Sequence, residues 1–297
     1  METNYSSETI MRNQKKGNPL VVFFLLIVLA GVIGVTAYYL YPRFFGTQQS
    51  HEIAKTPEPT PAPTENPYIT FDEKPAVEDA IYFEKTPLIE GQQAYVAYPI
   101  TYNKNFPPQL IVYGHGSNTT VTINFKEDNM INMRAYAQYF TDKGYAFSAS
   151  AQHGANWGSQ ASIDDMTKLI NWVNESYKIQ PQVNLIAHSM GGLPIIKFAM
   201  QHPAKIYRVA LLAPTSRSET YKKAEIDALA PVQIKIWHGD KDVNVPWSLS
   251  SQFVAFAKRN GKSIDFVTLK GKTHWDVDTE LMPEILDFFN SVSDIQE

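Results

Sequence analysis

The sequence predicts an α/β domain, a mostly parallel sheet with helices on both faces, preceded by one N-terminal transmembrane helix. Three observations predict it. From about residue 110 onward, apolar runs of strand length alternate with amphipathic runs of helix length. Ala187-His188-Ser189-Met190-Gly191 sits where one apolar run, 183–188, meets a helical pattern from Met190 to Met200. Residues 19–41, PLVVFFLLIVLAGVIGVTAYYLY, carry no charge at all. Apolar strands separated by helices of this length imply a parallel sheet buried on both sides.

The elements follow in chain order. Residues 1–18 form a short segment ahead of the apolar run, and 19–41 is long enough to cross the hydrocarbon core as a helix. Tyr38, Tyr39 and Tyr41 collect at one end of it, where amphipathic rings favour the interface. Arg12, Lys15 and Lys16 precede the run and only Arg43 lies close after it, so the N-terminus is expected in the cytoplasm and the rest outside. The expected location is a single-pass cell-membrane protein whose lipid-bilayer partner meets residues 19–41. A cleaved leader is the rival reading, although the run is longer than a usual leader core and lacks a clear small-x-small site. Residues 42–67 contain Thr56-Pro57-Glu58-Pro59-Thr60-Pro61-Ala62-Pro63, which reads as an extended, semi-rigid stalk.

The domain is expected over residues 68–297. Its start looks β-rich, with 80–83 and 94–98 around Glu90-Gly91. Strand 110–113 leads to a helix over 125–142 that ends near Gly144, then to strand 145–149. The next helix places Met166, Leu169, Ile170 and Val173 on one face, with Ser162 and Asp165 as a capping box. Strand 183–188, helix 190–201 and strand 207–212 follow. A short helical stretch near 218–229 precedes strand 232–237. A helix from about Ser248 stops at Asn260-Gly261, a C-cap signature, before strand 264–269. A last helix presents Ile285, Phe288, Phe289 and Val292.

Composition removes several classes of function. Apolar residues make up 44% and aromatic residues 12% of the chain, which supplies a core. The net charge is −4 and no basic run exceeds Lys15-Lys16, so nothing points to nucleic acid. The absence of cysteine excludes disulfides, thiolate metal sites and a cysteine nucleophile. No clustered ligand motif suggests a metal, and no cofactor is required by the residues below.

Ser189 is the candidate nucleophile. A serine on a sharp strand-to-helix turn needs small neighbours two before and two after it, and here they are Ala187 and Gly191. The backbone N–H of Met190, at the start of the helix, can stabilise negative charge on a bound carbonyl oxygen. A serine also needs a base, and the base an orienting acid. His188 adjoins Ser189, so its side chain is expected to diverge from it. His202 reads as a surface cap at a helix exit. His274, after the last strand in Gly271-Lys272-Thr273-His274-Trp275-Asp276, is the candidate base. Asp242, in Gly239-Asp240-Lys241-Asp242-Val243-Asn244-Val245-Pro246, is the candidate acid, with Asp240 as runner-up. Trp157, in a loop expected on the same face, reads equally as pocket lining or as loop packing.

The order Ser189, Asp242, His274, together with His115-Gly116 after an early strand, resembles the α/β-hydrolase superfamily over about residues 80–292. Ala187 departs from the commonest pattern, which has glycine there; small bacterial lipases are similar to this variant. The resemblance implies a second oxyanion N–H from Ser117 or Gly116, and a structural His115 that braces that loop. Only residues 213–231 occupy the place where the family inserts a lid, so a minimal lid is expected. The implied activity is a serine hydrolase, a carboxylesterase acting on small-molecule or cell-envelope ester or acyl substrates. An envelope peptidase or acyltransferase shares the same residues, and a non-catalytic binding module is the alternative of another class.

Overall fold

The computed structural model describes residues 82–291. The segment 1–18, the uncharged run 19–41, the stalk 42–67, the domain's first residues to Ile81, and Val292 lie outside the described residues. Among the described residues no helix is long and apolar enough to cross a membrane.

The first strands are β1 (Tyr82–Lys85), β2 (Leu88–Ile89) and β3 (Gln92–Pro99), joined antiparallel around Glu90-Gly91. Then come β4 (Leu110–Gly114), α1 (Asp128–Asp142), β5 (Ala146–Ser150), α2 (Gln160–Ser176), β6 (Val183–His188) and α3 (Gly192–Gln201). The chain continues through β7 (Ile206–Leu212), α4 (Lys223–Ala228), β8 (Gln233–Gly239), α5 (Trp247–Arg259), β9 (Asp265–Leu269) and α6 (Met282–Asn290). The sheet order is β1-β3-β5-β4-β6-β7-β8-β9, with β2 on β3. β3 meets β5 antiparallel, and every pair from β5 through β9 is parallel.

Side chains alternate across the central strands, as the two-residue repeat requires. Leu110 and Val112 of β4 join a core with Met166, Ile195 and Phe253, under α2, α3 and α5. Ile111 and Tyr113 point the other way, to a core with Met133, Tyr136, Ile285 and Phe289, under α1 and α6. Two buried apolar layers therefore clamp the sheet, and the loops at the carboxyl ends of its strands are left to carry chemistry.

Three local expectations change. Helix α1 starts at Asp128 rather than at 125, because Asn124 Oδ1 accepts from Lys126 N at 3.2 Å and Glu127 binds the side chains of Thr122 and Asn124. These local bonds compete with helix. The capping box from Ser162 and Asp165 does not form. Ser159 is the N-cap of α2 and accepts from Ser162 N, while Asp165 faces His153 at 3.1 Å. The helix expected from Met190 opens as a 3-10 turn, Ser189–Gly191, and becomes α-helical at Gly192.

Candidate active site

Ser189 directly follows β6 with φ +56°, a left-handed conformation that non-glycine residues rarely adopt and that is held here by its surroundings. Gly191 shows what holds it. A Cβ built there would lie 2.2 Å from Gly114 O, so the turn rests directly on the backbone at the end of β4. From the other side, Thr215 N donates to Ser189 O at 2.7 Å. Ala187 is fully buried beneath the turn. The small flanking residues are thus a packing requirement, and backbone contacts alone fix the serine's direction.

Across the cavity, Asp242 follows β8 and is almost fully buried. Its Oδ1 accepts from Asn244 N at 2.9 Å and Val245 N at 2.8 Å. Its Oδ2 accepts from His274 Nδ1 at 2.7 Å. Asp240 is exposed and accepts from Gly271 N at 2.7 Å, which ties the β8 turn to the β9 turn. The structure therefore puts Asp242, and not Asp240, on His274. Asp276 holds the base's loop: it accepts from Thr273 N at 2.8 Å and Thr273 Oγ1 at 2.7 Å, bonds that lower its carboxyl below the usual range.

His274 is buried and its Nδ1 is committed to Asp242, which leaves Nε2 for the cavity. Ser189 and His274 line one cavity of about 250 Å³, together with Gly116, Ser117 and Trp157. A direct hydrogen bond between Ser189 and His274 is not among the described contacts; such bonds commonly tighten only with substrate in place. Met190 is the first residue of the turn after Ser189 and is buried, with its Sδ accepting from Trp157 N at 3.4 Å. Trp157 itself is half-exposed at φ +49°.

His115 spans two loops, with Nδ1 2.8 Å from Gly116 O and Nε2 2.9 Å from Ala151 O. His202 sits at the C-cap of α3, its ring 4.7 Å from Phe198. The expectation for His188 is corrected. Its side chain does not diverge from the serine but lines the same cavity, with Nε2 3.2 Å from the carbonyl of His274 and rings 4.7 Å apart. His188 shares a strand face with Ile186, whose core is shared with α6, and the loop carrying His274 enters on that side.

His238 is one of the histidines that the sequence offers as a candidate base, and the sequence reading gives it no role of its own. It is fully buried in β8, with Nε2 2.8 Å from Val245 O and 3.2 Å from Asp242 Oδ2. Both partners only accept, so Nε2 carries the proton and Nδ1 accepts from Ser250 Oγ at 2.8 Å. Burial lowers the pKa of His188 and of His238, which keeps both neutral. One signal was legible beforehand: a histidine directly after the apolar pair Ile236-Trp237, four residues before the acid. Among the described residues, no group of three or more His, Asp or Glu side chains is arranged to hold a metal ion. The segment between β7 and β8 holds only a 3-10 turn and the six-residue α4, and builds no large cover.

A parallel sheet with a strained serine on a strand-to-helix turn, and an Asp–His pair on the last two strand ends, defines a protein of the α/β-hydrolase class. The chain belongs to that family: the family model described as alpha/beta hydrolase fold matches residues 90–258. No curated protein is similar enough in sequence to match. Among solved structures, it is similar to Est1E from Butyrivibrio proteoclasticus, with TM-score 0.53, 17% identity, and 71% of this chain and 97% of that one covered. It is also similar to a ferulic acid esterase from Anaeromyces mucronatus, with TM-score 0.56, 14% identity, and 72% and 93% covered. The acylaminoacyl peptidase of Pyrococcus horikoshii matches with TM-score 0.55 and 10% identity, over 74% of this chain and 43% of that one. At such identities the likeness is one of fold.

Proposed function

We propose that the chain is a serine hydrolase of carboxylic esters that works through Ser189, His274 and Asp242. One observation carries the reading. Asp242 Oδ2 holds His274 Nδ1 at 2.7 Å, and this pair shares a cavity with a serine at φ +56°. In this reading Ser189 Oγ attacks the ester carbonyl and its proton passes to His274 Nε2. Asp242 orients the imidazole and stabilises the imidazolium. The N–H groups of Met190 and of Ser117 or Gly116 stabilise the oxyanion. His274 then protonates the departing alcohol. It next takes a proton from the water that attacks the acyl-serine, and returns that proton to Ser189 Oγ as the acid leaves. The likeness to a solved ferulic acid esterase agrees with an ester substrate. An amide or another acyl acceptor would use the same groups, and a substrate panel separates these.

The proposal includes the chain's arrangement: segment 1–18 in the cytoplasm, an anchor over 19–41, a stalk over 42–67 and the enzyme outside. The uncharged run and the excess of Arg12, Lys15 and Lys16 over Arg43 support it. Reporter fusions to each terminus test it; a cytoplasmic C-terminus would reject the arrangement.

A fluorophosphonate probe on the full-length protein, followed by peptide mass spectrometry, tests the chemistry. The expected label is on Ser189, lost on denaturation and in His274→Ala. Absence of label on folded protein, or undiminished esterase activity in Ser189→Ala, overturns the reading.

A further inference from the structure

Four large apolar side chains stand out in water around the cavity: Val243 is 89% exposed, Ile123 70%, Trp275 63% and Trp157 50%. They belong to four separate loops, which leave the carboxyl ends of β8, β4, β9 and β5. Each of those loops also sends a residue into the cavity wall: Asn244, Ser117, Trp275 and Trp157. Trp157 and Trp275 thus form part of the rim of one opening, and Val243 and Ile123 extend outward from loops that help to line it. Single exposed apolar residues are ordinary surface, but four on loops that share a cavity mark a surface that meets something apolar. The short segment between β7 and β8 builds no large cover over them.

We infer, on the ester-hydrolase reading above, that this rim presses onto a packed lipid phase and that the enzyme draws amphiphilic esters from a bilayer surface. The occupant must bring the scissile bond to Ser189, because the rim and the cavity are continuous; a protein seated there would seal the site. The two indoles suit a headgroup boundary, being apolar rings with one N–H each. A polysaccharide would also stack on indoles. However, Val243 and Ile123 are aliphatic and offer a sugar neither a stacking face nor a hydrogen bond. Only insertion into an apolar phase uses all four. The uncharged run 19–41 of the same chain, as the proposed anchor, keeps such a phase within reach.

The test uses full-length protein with phosphatidylcholine vesicles and two butyrate esters, one of a water-soluble alcohol and one of a long-chain alcohol embedded in the vesicles. Both give the same acyl-enzyme, so they differ only in the alcohol and in the phase that holds it. Val243→Ser with Ile123→Ser removes apolar surface without adding charge beside Asp242. The double variant is expected to hydrolyse the embedded ester about tenfold more slowly and the soluble ester at the wild-type rate. Leu88→Ser, on β2, is the control and is expected to change neither. Equal rates of variant and wild type on the embedded ester overturn the proposal, and so does an equal loss on both substrates. If the wild type hydrolyses neither ester and takes no fluorophosphonate, the ester-hydrolase reading itself fails and this inference falls with it.

Discussion

Beside Ser189, backbone rests on backbone: the turn sits on Gly114 so closely that a Cβ on Gly191 would lie 2.2 Å from a carbonyl oxygen. Across the cavity the arrangement is made of side-chain bonds. Asp242 collects two backbone N–H groups and two imidazoles, and His188 reaches over to the carbonyl of His274. The first wall depends on what is small, and the second on what donates and accepts. A methyl group breaks the one, whereas an exchange of oxygen for nitrogen breaks the other with hardly a change of volume.

The largest expected effect is at the polar wall. Asp242→Asn keeps size but puts an amide donor among groups that all need an acceptor. If Asn Nδ2 faces His274, the imidazole is left in the wrong tautomer. A loss of about 10⁴-fold in kcat is expected with the melting temperature little changed. Ester hydrolysis and thermal melting on one preparation check this; a variant that keeps most of its kcat removes Asp242 from the mechanism. At the packed wall, Gly191→Ala is expected to cost about 3 kcal/mol of stability, read from the urea midpoint. A cost under about 0.5 kcal/mol would mean that the turn adapts and that the contrast between the walls is overdrawn.

The smallest effect sharpens the comparison through pH. The folded protein holds His188 and His238 neutral below the ordinary pKa of 6.5, which both regain on unfolding. As pH falls below 6.5 the unfolded chain takes up protons that the folded one does not. Stability is therefore full above that value and declines beneath it, by up to about 1.4 kcal/mol per pH unit for each histidine. His238→Gln keeps a donor for Asp242 but cannot titrate. Its stability is expected to fall less steeply from pH 6.5 to 5.5 than that of the wild type, in parallel urea titrations. Identical slopes would show that His238 titrates alike in both states.

The packed layers were legible from the sequence because they depend on local periodicity. Leu110, Val112, Leu185 and Val209 declare buried strands by their neighbours alone. Ser189, Asp242 and His274 were legible because each follows a strand, and strand ends converge in a parallel sheet. The polar scaffolding was not. His238 meets Ser250 twelve positions on, and His188 meets His274 eighty-six positions on. Nothing nearby in the chain announces either meeting, and adjacency to Ser189 argued against His188 when strand parity would have argued for it. The cap at Ser159 was missed for a simpler reason: two serines and two aspartates within seven residues offer competing local bonds, and only the observed one leaves Asp165 free to face His153.

Strand β9 carries the loop of His274, yet among the described residues it is the last strand of the sheet and pairs only with β8, and none of its five residues is fully buried. Edge elements with few buried contacts detach at lower free energy than the centre of a fold. Warming or mild denaturant would peel β9 away first, and the loop of His274 would leave with it while the layers around β4, β6 and β7 stay closed. Amide protons of β9 should then exchange ahead of those in β6. The working lifetime of the enzyme would follow that fraying and not the melting of the whole domain.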